Sequence, residues 1–205
     1  MFQITNMSKP NLYLSFDVET DGCSVVLNNM ISLGFYGLDD NLNKVFEFDA
    51  NIENLPGHTS EIACMENFWN KPENQKAWNH LSDNKKNYID VCLELSDHFK
   101  RLNNTYKLVF IAHPSCFDWQ FFKNYWELAR SHISNNNMYD IGYSCQCSST
   151  LWNLYKEKLG LSQKKANALY LELSEFDQKF EHFASYDAKF QGILYVKVKK
   201  LLMNS

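Results

Sequence analysis

Short apolar runs open this chain, and longer stretches with helical spacing follow them. Leu12-Tyr13-Leu14-Ser15-Phe16 predicts a buried strand. Acidic residues follow at once, then the turn Asp21-Gly22-Cys23. Met30 to Leu38 predicts a second strand. Lys44 to Ala50 alternates apolar and polar, as a half-exposed third strand does. The polar loop Asp39 to Asn43 between them suits a hairpin. From Thr59 to Leu102 the pattern is helical, with Thr59 or Ser60 placed to cap a first helix and Pro72 in the first turn of the next. Leu93, Leu95, His98, Phe99 and Leu102 approximate one apolar helix face. Lys107 to Ala112 predicts a fully buried fourth strand, and Phe117 to His132 an aromatic-rich helix. Asn135-Asn136-Asn137 suits a turn, and Met138 to Tyr143 a fifth strand. Thr150 to Leu159 predicts a helix closed by Gly160. Ser185 to Leu202 predicts the last helix, with Ala188, Ile193, Val196 and Leu201 among its apolar positions. This order of elements fits an α/β domain: a mixed sheet of about five strands with helices on both faces.

Composition narrows the function classes. The chain has 205 residues and neither an internal repeat nor a Gly/Ser/Pro linker, so one domain is expected over 1–205, with its core at about 11–202. Hydrophobic residues make up 45% and charged residues 21%, ordinary for a folded domain. The net charge of −4 argues against a general duplex-coating protein, yet suits an enzyme whose acidic cluster is neutralised by metal. No segment reaches the roughly 18 apolar residues of a membrane span. The stretch MFQITNMSKPN is polar and lacks a signal-peptide core, so a soluble, cytoplasmic protein is expected. The six cysteines include the close pair Cys145-x-Cys147 but no zinc-type spacing, and free buried thiols are the expectation.

The chemistry lies in the acidic residues. Asp17 and Glu19 stand two apart at a strand end, where side chains at i and i+2 share a face. Taken alone, such a pair reads as two solvated carboxylates. A divalent cation would relieve their repulsion, because carboxylate oxygens are hard ligands that suit Mg²⁺. Asp118 follows the fourth strand at the opening of a helix, where a lone Asp also reads as an N-cap. His182 precedes Asp187 by five residues. The pair becomes useful if His182 lies on the loop before the last helix and Asp187 in its first turns. Taken together, these segments supply the parts of two-metal phosphoryl chemistry, in which several carboxylates hold ions about 3.5–4 Å apart. A neighbouring imidazole takes the proton of the attacking water near neutral pH.

From Leu12 to about Leu194 the chain resembles the DEDDh 3′→5′ exonucleases, the family that includes RNase T and the proofreading subunit of bacterial DNA polymerase. Phe16-Asp17-Val18-Glu19-Thr20-Asp21-Gly22 is close to the family's F-D-x-E-T-x-G. Ile31-Ser32-Leu33-Gly34 looks like its second strand, I-x-x-G. His113-Pro114-Ser115-Cys116-Phe117-Asp118 resembles H-N-x-x-F-D, and His182-Phe183-Ala184-Ser185-Tyr186-Asp187-Ala188 resembles H-N-A-x-x-D-A. Pro114 and Phe183 depart from the usual Asn, which bears on loop geometry and substrate contacts more than on metal ligation. The Phe68-Trp69 segment looks more like small single-domain phage and bacterial members. The resemblance implies an RNase H-like fold and two Mg²⁺, with Mn²⁺ able to substitute. It implies Asp17, Glu19, Asp118 and Asp187 as metal ligands, His182 as general base, and stepwise release of 5′-mononucleotides from single-stranded DNA or RNA 3′ ends.

Aromatic and basic residues carry weaker signals. Phe68, Trp69 and Trp78 can wall one side of a cleft, and Trp119, Phe121 and Phe122 another, with core packing as the simpler reading. Thr20, Trp69 and Phe122 are the candidate substrate contacts, Thr20 because its backbone continues from the strand end. Lys164-Lys165 and Lys197, Lys199 and Lys200 read as solvated faces or as phosphate contacts. The competing function class is a binding or regulatory module that keeps the fold without catalysis. The presence of all five catalytic side chains argues against it.

Overall fold

Side-chain alternation along β1 (Asn11–Thr20) divides the molecule into two layers. Leu12, Leu14, Phe16 and Val18 enter the larger core, while Tyr13 joins a smaller cluster with Tyr195 and Val196 behind the sheet. The structure is a computed structural model that describes residues 9–133, 137–177 and 182–204; Asn135 and Asn136 of the expected turn lie outside them. The sheet has five strands in the order β3-β2-β1-β4-β5, with β2 (Met30–Asp39), β3 (Lys44–Asn51), β4 (Lys107–Ala112) and β5 (Gln146–Cys147). β1, β2 and β3 are antiparallel neighbours. β4 runs parallel to β1, and β5 parallel to β4. The mixed sheet and its helix-covered faces agree with the expected architecture.

One face is covered by α3 (Tyr88–Thr105) and α4 (Ser115–Ser131), whose Phe99 and Phe122 pack against Phe35 and Phe110, with Trp126 against both of them. The other is covered by α7 (Ala184–Met203), which lies on β1 and β2. α5 (Ser148–Lys158) and α6 (Gln163–Ser174) pack outside α7. No described helix is long and apolar enough to cross a membrane.

Several expectations need correction. Met138 to Tyr143 is not a strand. Met138 and Ile141 are buried as loop anchors, and the left-handed Gly142 (φ 69°) interrupts extended pairing. The fifth strand is Gln146–Cys147, which pairs only with Ile111 and Ala112. β4 is therefore not fully buried: Lys107 is exposed and Leu108 and Val109 half-buried, because β5 does not reach them. The region from Thr59 is helical only in pieces. The short α1 (Ile62–Cys64) runs into a π-helical turn at Met65–Trp69, a 3₁₀ turn at Pro72–Asn74 and α2 (Gln75–Ser82). Neither Thr59 nor Ser60 caps a helix; Glu61 takes that position without a side-chain bond, and the Ser60 hydroxyl donates to Asp21 instead. Pro72 does open its turn. On α3 the buried face is Val91, Cys92, Leu95 and Phe99, while Leu93 turns outward, as does Leu201 on α7. α6 was not expected. All six cysteines are free, but only Cys92 is buried.

Candidate active site

The three acidic segments meet where β1 ends. Between Glu19 and Thr20 the β1–β2 register shifts, so the strand stops pairing regularly at the acidic pair. Asp17 and Glu19 are both buried, at 9% and 8% exposure. Behind them the Thr20-Asp21-Gly22 corner is tied down by Asp21. Its carboxylate accepts from the Asn29 backbone N–H (2.6 Å), the Asn29 amide (2.7 Å) and the Ser60 hydroxyl (2.8 Å). Asp21 is thus a structural acid.

Asp118 lies in the first turn of α4, and Pro114, not Asp118, is the N-cap residue. From there its Oδ1 accepts the Val18 backbone N–H at 3.2 Å, which joins the α4 layer to the β1 end. Its Oδ2 is buried with no hydrogen-bond partner among the described residues. From the other layer, α7 brings Asp187 in its first turn, with Phe183 at the N-cap and His182 on the preceding loop. Asp187 Oδ2 accepts the His182 backbone N–H at 2.9 Å. His182 is left-handed at φ 66°, a conformation few non-glycine residues adopt and one that occurs where function constrains a loop. Glu19, His182 and Asp187 each bring one possible ligand atom to within 4.8 Å of the others.

Gln191 escaped the sequence reading. It lies one turn after Asp187, is buried, and donates from Nε2 to Asp17 Oδ1 at 2.8 Å. A polar side chain at i+4 from an acidic one, amid the apolar Ala188, Leu194 and Val198, was the available signal.

Electrostatics make this a costly arrangement for the protein alone. Burial, and then repulsion from Asp118, hold the Asp17 carboxyl well above the usual range; the Gln191 bond offsets them only in part. Burial pushes Asp118 up to about 7 against its backbone hydrogen bonds. Neither Asp17 nor Asp118 meets a Lys or Arg among the described residues. Buried carboxylates without a cation cost several kcal/mol. The orphaned Asp118 Oδ2 and an all-oxygen acidic donor set therefore fit a hard divalent cation.

The expected aromatic walls differ in kind. Phe68, Trp69 and Trp78 do stand beside the site, in a cluster with Phe183. The Phe68 ring centroid is 4.8 Å from that of His182, edge to face. Trp69 is 1% exposed, and its indole N–H donates to the Thr20 carbonyl at 2.9 Å, so it braces Thr20. Phe121 and Phe122 are core side chains with no exposed surface, and Trp119 packs against Phe16 and Phe110. In this conformation neither Trp69 nor Phe122 has ring surface to offer a base. Thr20 is half-buried at the corner, and the half-buried Phe68 lies against His182. The His113 backbone hydrogen-bonds to the Asp118 carboxylate, while its ring places Nδ1 2.8 Å from Ser148 Oγ and has a pKa lowered by burial.

No sequence-family description matches the chain, and no curated protein matches it. Its three-dimensional structure does have relatives. The nuclease domain of 3′hExo, a DEDDh family member solved with rAMP, superposes with a TM-score of 0.57 at 13% identity, covering 95% of this chain and 93% of that one. A full-length 3′-exonuclease gives 0.57 at 14% identity over 96% and 84%. A 3′-exonuclease in 3′-end-specific recognition of a histone mRNA stem-loop gives 0.55 at 13% over 96% and 84%. This chain therefore has the RNase H-like fold of the DEDDh 3′-exonucleases.

Proposed function

We propose that this chain is a single-domain, divalent-metal-dependent 3′→5′ exonuclease acting on single-stranded DNA or RNA. The observation that carries the reading is the convergence of four buried carboxylates and His182, from three distant segments, at one end of β1. Four carboxylates balance the charge of two Mg²⁺ or Mn²⁺, with Asp17, Glu19, Asp118 and Asp187 as ligands. Bound ions would supply positive charge to the reacting phosphodiester and lower the pKa of water.

The chain's own residues supply the rest. His182 accepts the proton of the attacking water, a task suited to an imidazole near neutral pH. Asp187 holds the His182 backbone, which fixes the ring's origin relative to the ligands. Gln191 orients Asp17. Thr20 is proposed as a contact to the terminal nucleotide, with Trp69 holding its carbonyl. Trp69 acts on substrate through the Thr20 carbonyl it holds, whereas Phe122 serves the core. A solved relative bound to rAMP, and another on an RNA 3′ end, support a 3′-terminal nucleotide as the ligand class.

The test is digestion of matched 5′-labelled RNA and DNA oligonucleotides with Mg²⁺, with Mn²⁺ and with EDTA. A ladder shortened one nucleotide at a time from the 3′ end, absent with EDTA, is the expected result. Shortening from the 5′ end, or internal cuts in a circular single strand, would overturn it.

A further inference from the structure

A groove of about 440 Å³ opens between α5 and α6, outside the acidic cluster. His113, Trp152, Asn153, Lys156, Asn167 and Tyr170 are among its lining residues. We infer that this groove binds the single-stranded nucleic-acid segment immediately upstream of the 3′-terminal nucleotide. The inference rests on the exonuclease reading for its register, though not for the chemistry of the groove itself.

Position is the first argument. His113 directly follows β4 and lies five residues before Asp118, so the groove begins at the segment that carries that carboxylate. Tyr170 stands across from it, with ring centroids 6.1 Å apart. The His113 backbone itself hydrogen-bonds to the Asp118 carboxylate, so this end of the groove abuts the acidic cluster. A strand whose last nucleotide sits at the carboxylates can thus continue along α5 and α6.

Chemistry is the second. No acidic residue lines the groove, although the chain is acidic overall. Lys156 makes no ion pair among the described residues; its ammonium donates to the neutral Asn153 Oδ1 at 3.2 Å, leaving the charge free for a phosphate. Lys164 and Lys165 follow Gln163 at the exposed start of α6. Tyr170 is held edge-on to the buried Trp152, with ring centroids 5.4 Å apart, so its orientation is set before a ligand arrives. A fixed aromatic face beside a cation and amide side chains is the composition that tracks unpaired strands by stacking and phosphate contact. The volume also falls within the roughly 300–1,000 Å³ of small-ligand sites, room for a nucleotide.

The variants Lys156→Glu and Asn167→Asp separate this groove from the acidic cluster, since Asn167 is exposed and Lys156 is partly so. Two readouts apply. One is the anisotropy of a fluorescent ten-nucleotide (about) single strand with Ca²⁺, over a range of salt. The other is Mn²⁺-dependent hydrolysis of the p-nitrophenyl ester of thymidine 5′-monophosphate, which has no upstream nucleotide. Both variants are expected to bind the strand about tenfold more weakly while hydrolysing the ester at the wild-type rate. For Lys156→Glu, the slope of log affinity against log salt should also shrink by about 0.7 or more, one phosphate contact on a single strand. Wild-type strand affinity and salt slope in both variants overturn the groove and leave the exonuclease reading intact. Weaker strand binding in the variants, from a wild-type protein that hydrolyses neither substrate, keeps the groove and overturns the exonuclease. A wild-type protein that does not bind the strand overturns the groove outright.

Discussion

Gly34 lies directly beneath the backbone of Ser185. A Cβ on Gly34 would fall 2.0 Å from the Ser185 nitrogen and 2.2 Å from the Ala184 carbonyl carbon. Gly34 is also the residue paired with Asp17 across the β1–β2 ladder. One missing side chain thus lets the first turn of α7 rest on the sheet beside Asp17, and that turn carries Asp187. The Ser185 N–H is then received by Asp49 Oδ1 on β3 at 3.2 Å.

Gly34→Ala should therefore act on the site from the sheet. The contact is with backbone, which cannot swing away, so α7 must shift. A displacement near 1 Å can cost about 10²-fold in rate. We expect at least that loss in kcat, with helix content by circular dichroism close to wild type. Wild-type turnover in a folded Gly34→Ala protein would show that the close approach is not needed for catalysis.

His182→Ala should be a kinetic lesion. General-base help is typically worth about 10²–10⁴-fold, so kcat should fall within that range. The rate profile should lose its limb near the imidazole pKa. Mn²⁺ affinity by calorimetry should change little, whereas Asp187→Ala should weaken it. The proximity of His182 to Glu19 and Asp187 leaves ligation as the rival role. A loss of metal affinity in His182→Ala, with turnover restored at saturating metal, would assign that role.

The metal-free protein should lose stability as pH rises. Burial pushes the Asp118 carboxyl up to about 7 in the folded state, whereas an unfolded Asp titrates near about 3.9. Between these values the unfolded chain releases a proton that the folded protein keeps. Asp118's contribution to folding is thus undiminished below about pH 4, declines up to about pH 7 and is level beyond it. Asp17, also raised, acts in the same direction. In EDTA, wild type should lose more of its melting temperature between pH 5 and pH 7.5 than Asp118→Asn does, and Mg²⁺ should narrow the gap. Parallel melting curves for the two proteins would contradict the raised carboxyl.

Phe68→Ala tests the half-buried aromatic ring that lies against His182. The half-buried ring lies against the imidazole and above Trp69. Its loss frees the His182 ring and removes a surface for the terminal base. KM for a short single strand should rise several-fold and kcat should fall, with the protein still folded. Phe122→Ala should instead lower the melting temperature strongly, because truncating a core Phe costs about 3–5 kcal/mol. Equal behaviour of the two variants would mean that Phe68, too, serves only packing.

By itself, the sequence determined what short-range periodicity and side-chain chemistry can carry. β1 to β3, α4 and α7 follow from apolar runs whose neighbours agree with them. Asp17, Glu19, Asp118, His182 and Asp187 stand out in the sequence only as a set, through the resemblance of their segments to the DEDDh motifs; taken alone, each reads as a solvated, capping or packed residue. What required packing was left to the tertiary structure. The run from Met138 reads as a strand, yet β4 pairs instead with Gln146 and Cys147, because ladder pairing depends on a distant edge and not on the run itself. Trp69 and Phe122 look alike in sequence as aromatics near motifs. Only the fold makes one a brace on Thr20 and the other core. Gln191 and Gly34 carry no chemistry of their own. Their importance lies in a 2.8 Å bond to a residue 174 positions away and in a helix resting on a strand. Such relationships exist only once the chain has closed on itself, because nothing in the local spacing encodes which distant backbone will come to lie there.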